Sequence, residues 1–419
     1  MSETLRVAIN CELAPGTQAG GTQSAVIGLV RALGELDGPE EYVLICHPRN
    51  RDWIEPVAGA NTRLLDRTPA KPTAGRALAG RIAEWLQSPA DRAWPPPPCS
   101  DGFYESLGAH VIHWPWQHFV VTALPSVFNP HDLLHLHHPQ FFSAAHIAAR
   151  EALYPVACRL AHTVVAGSEW TQQDLLRRYA LHPSRIQIVP WAPPIQASAP
   201  SDPSSIARVR AAHALPGRFA FYPAVTWPHK NHQRLLAAMA GLRDRRGLRV
   251  DLVCSGHREP HHATAIEAEV ARLGLEGQVR FLGQVSAADL RAVFRAAEFV
   301  FVPTLFEAAS GPVFEAWHED VPVACSTVTS LPQQVGDAAL LFDPWKVESI
   351  ADALARMATE ATLRETLRGA GRRRLADFPW ERTARAYRAV YRRAAGRSLG
   401  AEDEALLAWD WMRDSRPRS

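Results

Sequence analysis

The sequence predicts an α/β protein with two doubly wound domains, each a parallel sheet covered by helices on both faces. Two observations lead to this prediction. The chain has 419 residues, which exceeds what one compact core usually holds, so two domains are expected. Short and almost continuously apolar segments also alternate with segments of helical spacing at intervals of about 25–30 residues, which indicates βαβ units.

The second half of the chain carries the clearer pattern. Ser286 with Asp289 fits a capping box at the start of a helix. Thr171 with Asp174 fits another, just before the apolar residues of 175–179. The predicted strands of this half are 219–226, 249–256, 278–283, 298–304 and 321–326.

In the first half of the chain, the alternation of apolar strands and helical segments is less regular. We predict strands at 5–10, 42–46, 110–114, 163–166 and 185–189, with a helix over 22–36. Four consecutive prolines make 87–99 an exposed loop or extended spacer, and five prolines make 190–205 a linker. The predicted domains are therefore 1–195, completed by a C-terminal helix within 380–419, and 196–379.

Composition and charge exclude several classes of protein. Lys plus Arg number 45 and Asp plus Glu 43, which argues against a protein built to neutralise nucleic-acid phosphates. Six scattered cysteines without a CxxC pair indicate reduced core residues. The N-terminus lacks a signal-peptide core, and no apolar run is long enough to span a membrane. We expect a cytoplasmic protein, with peripheral contact at the inner membrane face left open.

The strongest functional signal is the segment FEAASGPVFEA, residues 306–316. It follows a buried strand and opens a helix near Pro312, since proline is favoured at the first helical position. Exposed backbone N–H groups over 310–313 and the helix dipole then predict an anion site suited to a diphosphate. Glu307 and Glu315 flank this site, and carboxylates accept hydrogen bonds from sugar hydroxyls. Taken singly, Glu315 equally suits a helix N-terminus and Glu307 a solvated loop.

The second signal is FYPAVTWPHKNH, residues 221–232, in which a strand turns at Pro228 and places Lys230 near the next helix start. A cation beside a helix N-terminus is unfavourable unless an anion lies between them. Lysine is also a common point-charge ligand for phosphate. Taken alone, Lys230 better fits an exposed side chain with a packed stem.

Together these segments resemble glycosyltransferase family 4, the retaining GT-B enzymes of the group 1 type. Glu307 to Glu315 match the family's E-x7-E element, and 227–232 match its lysine-bearing turn. In the first half, Gly20 and Gly21 resemble the family's glycine loop, and HDLLHLHHPQFF, from His131, resembles its acceptor-side histidine segment. Residues 378–394 resemble the C-terminal helix that crosses back to the first domain. The resemblance implies two Rossmann-like domains facing each other across a cleft.

The resemblance also implies roles for individual residues. Lys230 would neutralise the donor diphosphate, and Glu307 would lie near the hydroxyls of the sugar ring. His131 would lie beside the reacting sugar, and Glu315 would bind the ribose of the nucleotide. The further residues expected to bind the donor are Gly20, Gly21, His229, Ser310, Gly311, Pro312 and Val313.

Three positions depart from the family pattern. Many members carry an arginine six residues before the lysine or directly before it, where this chain has Ala224 and His229. Where relatives often have a glutamate after Leu-Pro, this chain has Gln333. The diphosphate charge would then be balanced by Lys230, helix N-termini and His229.

Two weaker features have competing interpretations. The histidines of 135–138 could suggest a metal cluster, but no acid or cysteine is spaced to complete one, and a packed loop is favoured. The arginines of 372–374 could meet anionic lipid headgroups, although a solvated helix face is favoured.

We therefore predict a metal-independent, retaining glycosyltransferase. It would transfer a hexose or deoxyhexose from a nucleoside-diphosphate sugar to a hydroxyl of a glycan, lipid-linked or other acceptor. The nucleotide sugar is a substrate, and we expect no cofactor, no metal and no nucleic-acid partner. Two alternatives stay open, a catalytically silent partner subunit of the same fold and a GT-B sugar-nucleotide epimerase or phosphorylase-type enzyme.

Overall fold

The structure, a computed structural model, describes residues 4–14, 20–67, 97–193 and 201–411. It divides into two compact units. The first contains the chain up to Ala166, then 172–189 and 384–408, and the second contains 167–171, 190–383 and the segment from Trp409. The predicted domain boundaries lie several residues from these divisions. The predicted first domain also included the segment from Trp409, whose ring, with that of Trp411, packs against the guanidinium of Arg382 in the second unit.

The first unit is built on a parallel sheet with strand order β3-β2-β1-β4-β5-β6-β7. Its centre is apolar, because β1 is buried from its second residue to its last and pairs with β2 and β4. The strands are β1 (Arg6–Cys11), β2 (Glu41–Cys46), β3 (Thr62–Asp66), β4 (Val111–Trp114), β5 (Ser126–Phe128), β6 (Thr163–Ala166) and β7 (Ile186–Ile188). The helices from this part of the chain are α1 (Gly20–Glu35), α2 (Leu134–His137), α3 (Ala144–Leu160) and α4 (Glu169–Tyr179).

The second unit is built on a parallel sheet with strand order β10-β9-β8-β11-β12-β13. The strands are β8 (Ala220–Pro223), β9 (Leu252–Ser255), β10 (Val279–Phe281), β11 (Phe299–Val302), β12 (Val323–Ser326) and β13 (Leu340–Phe342). The helices are α5 (Pro203–Ala212), α6 (His232–Arg246), α7 (Pro260–Arg272), α8 (Ala287–Ala296), α9 (Gly311–His318), α10 (Leu331–Val335), α11 (Val347–Thr359) and α12 (Ala361–Leu375). Central β11 and its neighbours β8 and β12 are almost wholly buried, as continuous apolar strands predict.

Two C-terminal helices complete the described chain, α13 (Trp380–Ala394) and α14 (Ala401–Ala408). Most of α13 belongs to the first unit, where Tyr391 donates a hydrogen bond to His113 Nδ1 at 2.8 Å. Arg392 binds both Glu40 and Asp403, so α13 is joined to the start of β2 and to α14. The predicted return of the C-terminal helix to the first unit is confirmed.

The ten predicted strands are present within a few residues of their predicted limits. Three described strands, β3, β5 and β13, were not predicted. β5 and β13 have three residues each, too few to show a period, and β3 lies at the sheet edge with two of its five residues exposed.

One predicted helix start is confirmed and one is wrong. Ser286 accepts the N–H of Asp289 at 3.1 Å and caps α8 as predicted. Thr171 does not cap α4, because Ser168 supplies a hydroxyl three residues earlier and accepts the Thr171 N–H at 3.1 Å. Asp174 instead bonds His137 Nε2 at 2.7 Å.

The predicted linker and spacer are only partly described. Residues 194–200 and 87–96 lie outside the described chain. The predicted linker ends early, since α5 begins at Pro203 with Asp202 as its cap. At the end of the spacer, the backbone of Cys99 forms an isolated parallel β-bridge with that of Val121. The Cys99 side chain is exposed, whereas the other five cysteines are buried.

Of the arginines of 372–374, Arg372 and Arg373 are exposed, as a solvated helix face predicts, whereas Arg374 is not. Arg374 is buried and donates to the carbonyl oxygens of Gln333 and Gln334 at 2.9 Å each, closing the C-terminal end of α10. Arg372 binds Asp320 at 2.5 Å. Two of the three guanidinium groups that we expected to be solvated are thus bound by acceptors of the second unit. Among the described helices, none combines the length and apolar character needed to cross a membrane.

Candidate functional site

The loop between β8 and α6 carries Lys230 at the carboxyl edge of the second sheet. Asn231 adopts the left-handed conformation, with φ of 62°, which asparagine tolerates better than most residues. Its Nδ2 donates to the carbonyl oxygens of Pro303, at 2.9 Å, and Pro344, at 3.0 Å. Tyr222 adds a hydrogen bond from its hydroxyl to the carbonyl of Lys230 at 2.8 Å. The loop is thus fixed to the ends of β11 and β13.

Lys230 and Glu307 form an ion pair at this edge. The Lys230 ammonium donates to Glu307 Oε1 at 2.6 Å, and the two side chains are 18% and 12% exposed. Glu307 follows β11, and its carbonyl oxygen accepts hydrogen bonds from Thr329 Oγ1 and Ser330 Oγ. The backbone of Glu307 is therefore held while its carboxylate meets the lysine.

The helix α9 begins four residues after Glu307, and its backbone donors differ from the prediction. The N–H of Ser310 donates to Gln334 Oε1 at 2.8 Å, and Gln334 Nε2 donates to the Ser310 carbonyl at 2.9 Å. Pro312 has no N–H to offer. The predicted run of donors over 310–313 is thus wrong for Ser310 and Pro312. The N–H groups of Gly311 and Val313 belong to the first turn, which has no intrahelical acceptors.

Two polar groups on this helix have no partner within the described chain. Ser310 Oγ is buried and unpaired, and it does not cap α9. Glu315 is partly buried, and burial raises the pKa of its carboxyl to about 7. A carboxyl that titrates near neutrality can both donate and accept hydrogen bonds. A buried polar group without a partner in a folded protein calls for an explanation, and a ligand is one.

His229, the residue before Lys230, is almost fully buried. Its side chain is 6% exposed, and its ring lies 5.7 Å from the ring of Trp227. Its carbonyl oxygen accepts the N–H of Leu305 at 2.7 Å and the hydroxyl of Thr304 at 3.2 Å. The residue therefore supports the loop that carries Lys230.

Gln333 also has a structural role. Its Oε1 accepts the N–H of Trp170 at 3.0 Å, at the start of α4, in a part of the chain grouped with the second unit. The amide thus satisfies one of the donors that a helix N-terminus leaves open.

Gly20 and Gly21 open α1 in the first unit. Gly20 has φ of +53°, a conformation that favours glycine. A Cβ at either position would meet nothing within 4 Å among the described residues. Packing against the described residues therefore does not explain why these two positions are glycine.

His131 lies in the loop after β5, with a left-handed φ of 64°. Its Nε2 donates to the carbonyl of Pro115 at 2.7 Å, and burial lowers the pKa of the imidazole. The ring is therefore neutral near pH 7 and held by the end of β4.

The histidines that follow bind separate partners. His135 Nε2 and His137 Nε2 each lie 2.7 Å from a carboxylate, on Glu151 and Asp174 respectively. His138 stacks on the ring of Phe141. The fold supplies the acids that the sequence spacing did not show. In the described ranges these side chains do not form a group of three or more metal ligands.

Sequence reasoning missed the residues that shape the site from a distance. Asn231 carried a local signal, because an asparagine at the end of a loop before a helix suits a left-handed cap. Gln334 carried no local signal, because it lies 24 residues from Ser310, whose backbone N–H and carbonyl it binds.

Two parallel sheets covered by helices, with charged side chains at the carboxyl edge of one, define a doubly wound α/β fold, in which this edge is the usual place for a ligand. HepE of Anabaena, solved in complex with UDP and glucose, has a similar fold, with a TM-score of 0.67 and 14% identity over 92% of this chain and 99% of that chain. Sucrose-phosphate synthase from Thermosynechococcus elongatus gives a TM-score of 0.66 and 20% identity over 93% and 98%. The fold is GT-B.

The model of the glycosyl transferases group 1 family matches residues 217–360. O-antigen chain mannosyltransferase B of Escherichia coli is 34% identical over 39% of this chain and 42% of its own length. D-inositol 3-phosphate glycosyltransferase of Salinispora arenicola is 26% identical over 90% of this chain and 88% of its own. The first alignment thus spans less than half of the length of the mannosyltransferase, and the second spans most of the length of the inositol-phosphate enzyme. Residues 217–360 thus match the glycosyl transferases group 1 family, which agrees with the resemblance seen in the sequence.

Proposed function

We propose that the chain transfers a hexose or deoxyhexose from a nucleoside-diphosphate sugar to a hydroxyl of a glycan or lipid-linked acceptor, with retention of configuration. The observation that carries this proposal is the arrangement around α9. Lys230 and Glu307 pair beside the helix N-terminus, and Glu315, on the same helix, has no partner in the described chain. A cation, open backbone N–H groups and a carboxyl suit a diphosphate and a ribose.

Lys230 would stabilise the leaving diphosphate. In the structure the Lys230 ammonium pairs with the Glu307 carboxylate at 2.6 Å. A bound diphosphate carries more negative charge than one carboxylate, so it would compete for the ammonium and free Glu307 to accept sugar hydroxyls. Charge developing on the leaving phosphate is then met by Lys230 and the first turn of α9, and such preorganised charge often dominates catalysis.

Retention requires the acceptor to attack from the face that the diphosphate leaves. An oxygen of the departing phosphate can take the acceptor proton on that face. His131 is neutral, but its Nε2 proton is engaged with a backbone carbonyl, so we assign it a positioning contact with the sugar. Lys230 and the helix N-terminus supply the positive charge in this scheme, and we therefore expect turnover in the presence of a chelator.

The first experiment measures thermal shifts and binding heats against nucleoside diphosphates and their sugars in EDTA. Selective stabilisation by one donor, lost in Glu315→Ala, supports the proposed donor site. The matched control is Lys346→Ala, which removes a lysine of the second unit whose side chain is 75% exposed. Silence across the panel for the wild-type protein would contradict the proposal.

A second candidate is the catalytically silent partner subunit. It is favoured by one observation: His229, at a position where relatives often carry an arginine, is buried in the loop that its carbonyl supports. Donor binding without turnover across a wide acceptor panel supports this candidate. An epimerase would differ from both the transferase and the silent subunit, because it would convert the nucleotide sugar when no acceptor is present.

A further inference from the structure

A group of basic side chains lies at the amino edge of the first sheet, opposite the edge that carries His131. His162 directly precedes β6 and Arg185 directly precedes β7, and these two strands pair in parallel. Arg393, near the end of α13, donates from Nη2 to Gln187 Oε1 on β7 at 3.2 Å. All of these residues belong to the first unit. His162, Arg185 and Arg393 are called the amino-edge cluster.

The amino-edge cluster has no carboxylate partner in the described chain. Arg185 donates only to two backbone carbonyl oxygens where α3 ends, at 2.6 Å each. Arg393 donates only to the amide of Gln187, and His162 Nδ1 bonds only the hydroxyl of Thr163, at 3.0 Å. Like charges without a counter-ion repel one another, so the arrangement is unfavourable unless an anion binds there.

The pKa shifts of the cluster show that its members act on one another. Partial burial lowers the pKa of the His162 imidazole, and the guanidinium groups of Arg393 and Arg185 lower it further. Burial also lowers the pKa of the Arg393 guanidinium. No carboxylate of the described chain opposes either shift. Partial burial reduces screening by solvent and salt, so the repulsion between these groups persists at physiological ionic strength.

The preceding arginine of α13 is bound in the opposite way. Arg392 pairs with Glu40 at 2.6 Å and with Asp403 at 2.9 Å, so its charge is balanced within the first unit. Arg393 is also partly buried, yet it contacts only a neutral amide. A partly buried cation without a carboxylate costs free energy, and a bound anion would recover that cost.

We propose that the amino-edge cluster binds a phosphate group, carried either by a soluble phosphate ester or by a phospholipid headgroup. Guanidinium groups bind phosphate oxygens through pairs of charge-assisted hydrogen bonds, and the imidazole supplies a further donor. The balanced charge of the whole chain argues against nucleic acid as the source of the phosphate. Leu160, two residues before His162, is 52% exposed and would contact lipid chains if the source is a headgroup. The site is separate from the proposed donor site, whose residues belong to the second unit.

Titration calorimetry with inorganic phosphate tests the site directly. It uses the full chain carrying Lys230→Ala, in which the proposed donor site lacks its cation, at constant ionic strength. We expect phosphate to bind, and Arg393→Gln to weaken it about tenfold, the loss expected for one charge-assisted hydrogen bond. Arg393→Lys keeps the charge and should retain part of the affinity. Arg373→Gln is the matched control, because Arg373 is exposed on α12 of the second unit. Arg393→Gln should not melt lower in phosphate-free buffer, since it removes a partly buried charge that has no partner.

Co-sedimentation with phosphatidylglycerol vesicles, compared with phosphatidylcholine vesicles, separates the two sources of phosphate. Selective binding to phosphatidylglycerol that is lost in Arg393→Gln and weakened in Leu160→Ser identifies a lipid headgroup. Binding of inorganic phosphate that depends on Arg393, without binding to vesicles, identifies a soluble phosphate ester. The proposal is overturned if neither phosphate nor phosphatidylglycerol binds, or if Arg393→Gln binds them as Arg373→Gln does. Neither measurement depends on the proposed transfer reaction.

Discussion

Two buried polar regions of the molecule differ in how completely their groups are paired. In the first unit, His113 Nε2 donates to Asn129 Oδ1 at 2.6 Å, Asn129 Nδ2 donates to Tyr387 at 2.8 Å, and Tyr391 donates to His113 Nδ1 at 2.8 Å. In the second unit, Ser310 Oγ and the Glu315 carboxyl find no partner in the described chain.

The difference separates polar groups that hold the fold from those available to a ligand. Each ring nitrogen of His113 and each side of the Asn129 amide has a partner, so the hydrogen bonds that join α13 to β4 and β5 offset the cost of burying these polar groups. An unpaired carboxyl that is partly buried costs free energy in the empty protein, and a ligand that pairs with it recovers that cost. The comparison predicts that changes in the first region lower the stability of the fold, whereas changes in the second alter function without lowering stability.

The largest effect is expected from Lys230→Ala. Loss of the ammonium removes the charge that would stabilise the leaving diphosphate, and removal of one such group typically costs about 10²–10³ in turnover. The melting temperature should change little, because the Lys230 side chain is partly exposed and its backbone is held separately. Steady-state kinetics with the identified donor checks this, with Lys346→Ala as the control. Near-normal turnover would refute the assignment of Lys230.

The second effect is expected from Asn129→Leu. It leaves the buried His113 N–H without its acceptor and removes one hydrogen bond of the Tyr387 hydroxyl, and we expect a loss of about 2–4 kcal/mol in the free energy of unfolding. Tyr391→Phe should cost less, because it leaves one ring nitrogen unpaired. Chemical denaturation measures both, and nucleotide affinity should stay unchanged. A loss of nucleotide affinity in a variant that keeps its stability would break the comparison.

The same network has a pH dependence. Burial lowers the pKa of His113 to about 4, whereas an unfolded histidine titrates near 6.5. The unfolded chain therefore binds the proton first as the pH falls. The stability contributed by neutral His113 is full above pH 6.5 and is lost progressively as the pH falls towards 4.

The smallest effect is expected from Glu315→Gln. Burial raises the pKa of this carboxyl from 4.5 to about 7, so the folded state loses stability as the pH rises through this window. The penalty above pH 7 is at most about 3 kcal/mol, and partial exposure reduces it. We expect the variant to melt about 2–6 °C higher at pH 8 and almost unchanged at pH 5. Glu348→Gln, at an exposed carboxylate, is the control. An equal shift at both pH values would show that burial of a titrating carboxyl is not the cause.

The sequence predicted much of the donor-side region because its signals are local. Glu307, the start of α9 and Glu315 lie within one segment, and the strand before it and the proline within it fix their order. The lysine loop was likewise readable from Pro228 and the apolar strand before it. The predicted backbone donors at Ser310 and Pro312 failed for different reasons. Pro312 lacks an N–H in any fold, whereas the Ser310 N–H is bound by Gln334 from a distant helix.

The sequence by itself determined the fold class, the order of the main strands and the residue types of the donor edge, since these depend on apolar periodicity and on local turn chemistry. The tertiary structure decided which charges are free. It paired Lys230 with Glu307 across 77 residues, buried Arg374 as a cap and supplied acids to His135 and His137. Ion pairs and hydrogen bonds between distant segments depend on positions in space, and spacing along a single chain does not encode these directly.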